Sequence, residues 1–321
     1  MLRIKVALFL LFTSASSAWA DEALQRWVVD FKQEAQTQGI SNNILNEVFQ
    51  DFTPLPEVIR LDRKQPEEKL SFTKYFNNML APIQIRKGQR LYQENNGILR
   101  NIGENFNVQP HYVIALWGME SNYGSNSGNF LVPHALATLA YEGRRAAFFR
   151  GELLAALKIL QSGVISLQDM RGSWAGAMGQ CQFMPSSYLK YAVDYDGDGK
   201  KDIWQNKADV LASIANYLAS EGWNGQLSWG SKVRFLENTP PKDGLDKIYG
   251  LDKIENWKKQ NLQLLQPTTK LGDGLLKLTV PGKSDEGTWL TTGNFDVFMK
   301  WNRSRYFAVA AGSLGDAIYG Q

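Results

Sequence analysis

Apolar positions recur at helical spacing along much of the chain. Leu24, Trp27, Val28 and Phe31, followed by Ile44, Leu45, Val48 and Phe49, each build one apolar face and predict a short helical region over 21–65. Pro54, Pro56 and the charged run from Asp62 to Lys69 interrupt it and read as a solvated connection. Helices are then expected over Phe76–Phe106 with breaks near Pro82 and Gly97, and over Pro110–Asn122, His134–Tyr141, Arg145–Leu160, Pro185–Tyr191 and Asp209–Glu221. After Gly222 the texture changes. Prolines punctuate at 240, 241 and 267, while Leu276–Val280 and Phe295–Phe298 alternate with period two, which predicts strands. A helical stretch, Tyr306–Tyr319, closes the chain. The expected fold is α+β and predominantly α: a helical body over 66–321 with a small strand-bearing part at about 230–300.

The first 20 residues change the picture of where the chain works. Arg3 and Lys5 precede the apolar run Val6–Phe12, and small residues end in Ala18-Trp19-Ala20, the three-part plan of a secretory signal cut after Ala20. Removing it leaves 301 of the 321 residues, and because the leader holds two bases and no acid, the formal charge falls from +3 to +1. Such a chain is not drawn to nucleic acid by its charge. The single Cys181 lies far from the cleavage point, so neither a lipid anchor nor an internal disulfide is expected. The expectation is a periplasmic protein without a membrane anchor. Two histidines, His111 and His134, are too few for a multi-histidine zinc site. With 44% hydrophobic and 21% charged residues, the chain has ample material for a core and is not a disordered one.

The candidate chemistry centres on one carboxylate. Pro110 suits a first helical turn, Val113, Leu116 and Trp117 supply an apolar face, and Gly124 can end the segment, so Glu120 falls in the last turn. There the negative end of the helix dipole opposes its ionisation. No lysine or arginine occurs between Arg100 and Arg144, and no other acid lies between Glu104 and Glu142. A carboxyl in that setting can hold its proton near neutrality and act as a general acid. The competing reading is a solvated glutamate at a helix end. Trp117, Asn122, Tyr123, Asn126 and Asn129 favour the first, since such groups hold polyhydroxylated ligands by stacking and hydrogen bonding.

Two further segments stand out. Ser173–Ser187 reads SWAGAMGQCQFMPSS, with glycines at 172, 176 and 179 that bring backbone close to its neighbours; Gln180 or Gln182 facing a ligand and a tight packing corner fit it equally. Cys181 reads as a small buried filler. The acidic loop over 194–205 matches the first half of a calcium loop, with Asp194, Asp196 and Asp198 at positions one, three and five, Gly199 at six, the Lys200 carbonyl at seven and Asp202 at nine. Position twelve is Gln205 where that loop has a bidentate glutamate. A structural calcium ion and a metal-free acidic turn both fit.

Taken together, ESNYG at Glu120, EGRRAAFF at 142–149, SWAGAMGQCQFMPSSY at 173–188, the acidic loop, NYLASEGW at 216–223 and KWNRSRY at 300–306 resemble the B-type lytic murein transglycosylases. The resemblance runs from about Gln109 to the C-terminus and is loose before Asn105. It implies a lysozyme-like helical domain that cuts the MurNAc–GlcNAc bond of peptidoglycan strands and leaves 1,6-anhydro-MurNAc ends, with no cofactor for the chemistry. It further implies Glu120 as catalytic acid and base, Ser173 against it, Gln182 on sugar, Arg144 and Arg145 lining the groove, and Tyr217, Asn302 and Tyr306 completing it. Cell-wall synthases or amidases are the implied protein partners. Departures are Cys181 where glycine is common, Trp301 where tyrosine is frequent, and Gln205. Two rivals remain: a lysozyme-type muramidase and a non-catalytic peptidoglycan-binding protein on the same fold. Serine-hydrolase chemistry is a distant third, since neither histidine sits in a nucleophile context.

Overall fold

A computed structural model describes residues 10–64, 70–142, 144–236, 248–266, 270–283 and 286–320. Arg3 and Lys5 of the expected leader, residues 65–69 of the charged run and prolines 240, 241 and 267 lie outside them. In chain order the helices are α1 (Leu10–Thr37), α2 (Asn42–Phe49), α3 (Pro56–Arg63), α4 (Phe72–Met79), α5 (Pro82–Glu94), α6 (Asn96–Phe106), α7 (Pro110–Ser121), α8 (Val132–Glu142), α9 (Ala146–Gln161), α10 (Pro185–Tyr191), α11 (Lys207–Ser220), α12 (Ile254–Lys259), α13 (Gly293–Trp301) and α14 (Arg305–Tyr319). The strands are β1 (Phe130–Leu131), β2 (Arg171–Gly172), β3 (Gly230–Phe235), β4 (Ile248–Asp252), β5 (Leu262–Leu264), β6 (Leu276–Thr279) and β7 (Thr288–Thr291). None of the described helices is long and apolar enough to cross a membrane.

The chain forms two compact units. The first gathers Met1–Gln65, Gly128–Met178 and Phe183–Leu189, so the helical preface packs with α8 and α9. Its core includes Phe31, Leu45, Val48, Leu136 and Leu153. Buried Glu152 on α9 accepts hydrogen bonds from the N–H and hydroxyl of Ser186, 2.9 and 2.7 Å away, and so caps the start of α10. The short β1–β2 pair brings Gly172 opposite Phe130, and a Cβ at Gly172 would overlap the carbonyl oxygen of Ala177.

The second unit gathers Pro66–Ser127, Gly179–Gln182 and Lys190–Gln321. At its centre lies α7, packed on α14, α5 and α11. Pro110 starts it and Asn122 ends it in the left-handed region, while every residue from His111 to Trp117 is buried. A helix apolar on all sides can only be a core element. Fully buried Ile114 and Leu116 each contribute roughly 1.5–3 kcal/mol by leaving water. Buried Asp316 on α14 accepts from Tyr112 Oη and Trp229 Nε1, both at 2.9 Å, which fastens α7 and the start of β3 to α14. Burial pushes its carboxyl up to about 6 against the pull of those two donors.

Strands β3 to β7 form an antiparallel sheet of order β4-β6-β7-β3-β5. Leu278 pairs with Leu290, which pairs with Ser231, and Leu276, Leu278, Leu290, Val233 and Trp257 make its core. Phe295–Phe298 is not one of the strands. It lies in α13, capped by the Thr292 hydroxyl, which accepts from Asn294 N–H at 3.2 Å. Phe295 and Phe298 stand three apart, so four residues of apparent alternation fit a helix equally, and the cap decides. The helical stretch expected over Phe76–Phe106 with breaks near Pro82 and Gly97 is divided into α4, α5 and α6, with Pro82 opening α5 and the second break just before Gly97.

Candidate active site

Glu120 occupies the last turn of α7 and is half-buried. The indole Nε1 of Trp301, the last residue of α13, donates to Glu120 Oε1 at 2.6 Å. Burial pushes the Glu120 carboxyl from its ordinary 4.5 up to about 7, while the Trp301 hydrogen bond pulls it down. No second carboxylate and no cation figures among these influences. The Tyr75 hydroxyl on α4 is pushed up to about 12 by burial and by the charge of Glu120, and the buried Cys181 thiol is raised by burial and by the same charge. Among the described residues Glu120 thus stands without a second carboxylate beside it, its pKa raised to about 7, with an indole, a phenol and a thiol within electrostatic reach.

The chain after Glu120 turns sharply to leave α7. Asn122 and Tyr123 both take left-handed backbone at φ 50° and 58°, and Gly124 follows at φ 79°. A Cβ at Gly124 would overlap Gln180 Oε1, which accepts the Trp117 indole N–H at 2.9 Å. Gln180 also donates to the Trp204 carbonyl at 2.7 Å. Of the two glutamines left open by the sequence, Gln180 is therefore a brace between α7 and the acidic loop. Gln182, at φ 50°, directs its amide N–H groups to the carbonyls of Ser127 and Gly179, each at 2.9 Å. Its Oε1 is the atom chemically suited to accept from a sugar hydroxyl.

Aromatic rings continue outward from Trp301. Its ring packs edge-on against Tyr217 at 4.6 Å, and Tyr217 lies 4.4 Å from Tyr191. Tyr306 sits 5.2 Å from Phe72 and 6.1 Å from Tyr75, and Asn302 is exposed with Oδ1 accepting from Ser304 N–H at 3.1 Å. Glu120, Gln182, Tyr217, Asn302 and Tyr306 thus share the second unit.

A model of the family described as "Transglycosylase SLT domain" matches residues 23–316. The chain belongs to this family. It is 29% identical over 301 residues to membrane-bound lytic murein transglycosylase B of Escherichia coli (strain K12), covering 87% of this chain and 79% of that one. The crystal structure of SltB3 from Pseudomonas aeruginosa in complex with NAG-anhNAM-pentapeptide matches with a TM-score of 0.84 and 38% identity, over 92% of this chain and 80% of that one. The Escherichia coli lytic transglycosylase Slt35 in complex with calcium matches with a TM-score of 0.76 and 26% identity, over 92% of both chains. The transglycosylase accordingly has the lysozyme-like, predominantly helical α+β fold expected of it.

The remaining expected groove residues of the transglycosylase lie in its first unit. Ser173 Oγ accepts the Ala177 N–H at 3.0 Å, closing its glycine-rich loop. Arg144 donates to the Asp62 carbonyl at 3.0 Å, and Arg145 lies 4.8 Å from the ring of Phe149. In the second unit, Asp194, Asp196 and Asp209 bring carboxylate oxygens within 4.8 Å of one another. Asp209 is the acid the loop pattern missed, because it lies beyond the loop in the first turn of α11. Burial raises its pKa, and Asp196 and Asp194 raise it further by like charge, the arrangement a hard cation relieves. Asp198 and Asp202 do not belong to that trio; Asp198 accepts from Lys200 N–H and Asp202 from Trp204 N–H, both at 2.8 Å. Tyr75 was also missed, and nothing near it in the sequence marks it. Trp301 carried a faint signal as the unusual neighbour of Asn302.

Proposed function

We propose that Glu120 alone supplies the proton chemistry of this lytic murein transglycosylase. The observation that supports it is a half-buried carboxyl poised at about 7 with no second carboxylate influencing it. A glycosidase that uses water works with two carboxylates, one as acid and one as base or nucleophile. Here the protonated Glu120 gives its proton to the oxygen leaving the MurNAc anomeric carbon. The ring passes through an oxocarbenium-like state, and the ionised Glu120 takes the proton of the sugar's own C6 hydroxyl as that oxygen closes on the anomeric carbon. The glycosidic C–O bond is lost, the 1,6-anhydro bond is gained, and Glu120 ends as it began. A pKa near the working pH suits both halves of the cycle. Glu120→Gln is expected to release no soluble fragments from purified sacculi while still binding them; retained cleavage would refute the assignment.

Around it, Gln182, Tyr217, Asn302 and Tyr306 are proposed to bind the glycan strand, Tyr217 through the Trp301 ring it supports. Ser173, Arg144 and Arg145 are proposed as groove residues on the resemblance of their motifs. The acidic trio supports a structural calcium ion held by Asp194 and Asp196, with Asp209 in place of the missing glutamate; Asp198, the Lys200 carbonyl and Asp202 are proposed with them on the loop pattern. The ion would brace the loop ahead of α11 and takes no part in the chemistry. The leader, cut after Ala20, is proposed to deliver the enzyme to the periplasm without an anchor, where synthases or amidases of the wall would be its partners.

A further inference from the structure

Resting on that reading of Glu120, we propose that Trp301 is a positioning residue: by donating its indole N–H to Glu120 Oε1, it reserves Oε2 as the oxygen that carries, delivers and recovers the proton. The geometry is direct, at 2.6 Å between two residues 181 positions apart. An indole N–H donates and never accepts, so it pairs with the carbonyl-type oxygen of a protonated carboxyl and disfavours a proton there. It does not titrate, so the same bond persists, strengthened, when Glu120 is ionised. The proton then leaves Oε2 for the glycosidic oxygen, and the C6 hydroxyl proton returns to Oε2.

The indole is itself held. Its edge-on contact with Tyr217 at 4.6 Å leads to Tyr191, whose hydroxyl donates to Glu221 at the end of α11. Lys300, adjacent to Trp301 in the chain, donates to the Glu221 carbonyl at 2.8 Å and pairs with its carboxylate at 3.2 Å, and Lys190 pairs with it at 3.1 Å. The Tyr191 hydroxyl first, then Lys190 and Lys300, hold the Glu221 carboxyl down at about 2, so this clamp keeps its charge throughout the working range of Glu120. Among the described residues, the other titratable groups that feel the charge of Glu120 are Tyr75 on α4 and Cys181 in the 179–182 segment, both driven upward by burial and uncharged near neutrality.

Trp301→Phe keeps an aromatic ring beside Tyr217, though a smaller one, and deletes the donor to Glu120. Expected are a kcat about tenfold lower with KM within about twofold, and an alkaline limb of the pH–rate profile moved up by about one unit, because the carboxylate loses a charge-assisted bond. In ¹⁵N-labelled wild type, the indole resonance absent from Trp301→Phe is expected to titrate with the midpoint of that limb, and in Glu120→Gln to become pH-independent. An unmoved limb in Trp301→Phe together with a resonance that ignores Glu120 would overturn the positioning role while leaving the proposed function standing. An active Glu120→Gln would overturn the proposed function itself.

Discussion

The carboxyl proposed to do the chemistry is one the fold holds at a cost, and the cost is measurable. In the unfolded chain Glu120 ionises at its ordinary 4.5, but in the folded protein it does so at about 7. Between those values the unfolded state binds fewer protons than the native one, so stability falls as pH rises, and above about 7 the loss is complete and constant. A shift of that size amounts to at most about 3 kcal/mol. Glu120→Gln keeps an oxygen for the Trp301 indole and has no charge to bury. It is therefore expected to match the wild type at pH 4 and to exceed it by a margin that grows to a plateau near pH 8, on the order of 5 °C in melting temperature. Calorimetric melts of both proteins from pH 4 to 9 measure this directly. A wild type as stable as Glu120→Gln at pH 8, or a difference of the same size at pH 4, would refute the argument that burial sets this pKa.

Other consequences follow from the same contacts. Gly124→Ala combines a left-handed backbone with a clash against Gln180 Oε1 and is expected to destabilise by about 1–3 kcal/mol, seen as an earlier denaturant midpoint. Calcium is expected to raise the melting temperature of the wild type, and a chelator to reverse it; Asp209→Asn, which removes one charge from the trio, is expected to lose most of that increment. Identical melts with and without chelator would count against the ion.

Much of this site was legible in the chain because its signals are local. Pro110 and Gly124 bracket one helix, its apolar run is unbroken, and the empty stretches of charge on either side isolate Glu120 within about forty residues. What was illegible is what comes from far away. Trp301 reaches Glu120 only because α13 and α7 belong to the same unit, and no spacing rule links positions 181 apart. Asp209 was hidden by the habit of counting twelve positions from Asp194, whereas the fold recruits its acid from the helix that follows. Phe295–Phe298 misled because four residues sample barely one helical turn, too few to separate a period of two from one of 3.6. Strands β3 and β7 carried polar or aromatic residues facing a partner that only the sheet supplies.

One carboxyl is proposed to give a proton and take it back from the same sugar, with no water consumed. Mass spectrometry of the soluble muropeptides released from sacculi by the purified enzyme tests it most directly. Muramyl ends one water lighter than those left by a muramidase, and resistant to borohydride reduction, are the predicted result; hydrated, reducible ends would contradict it.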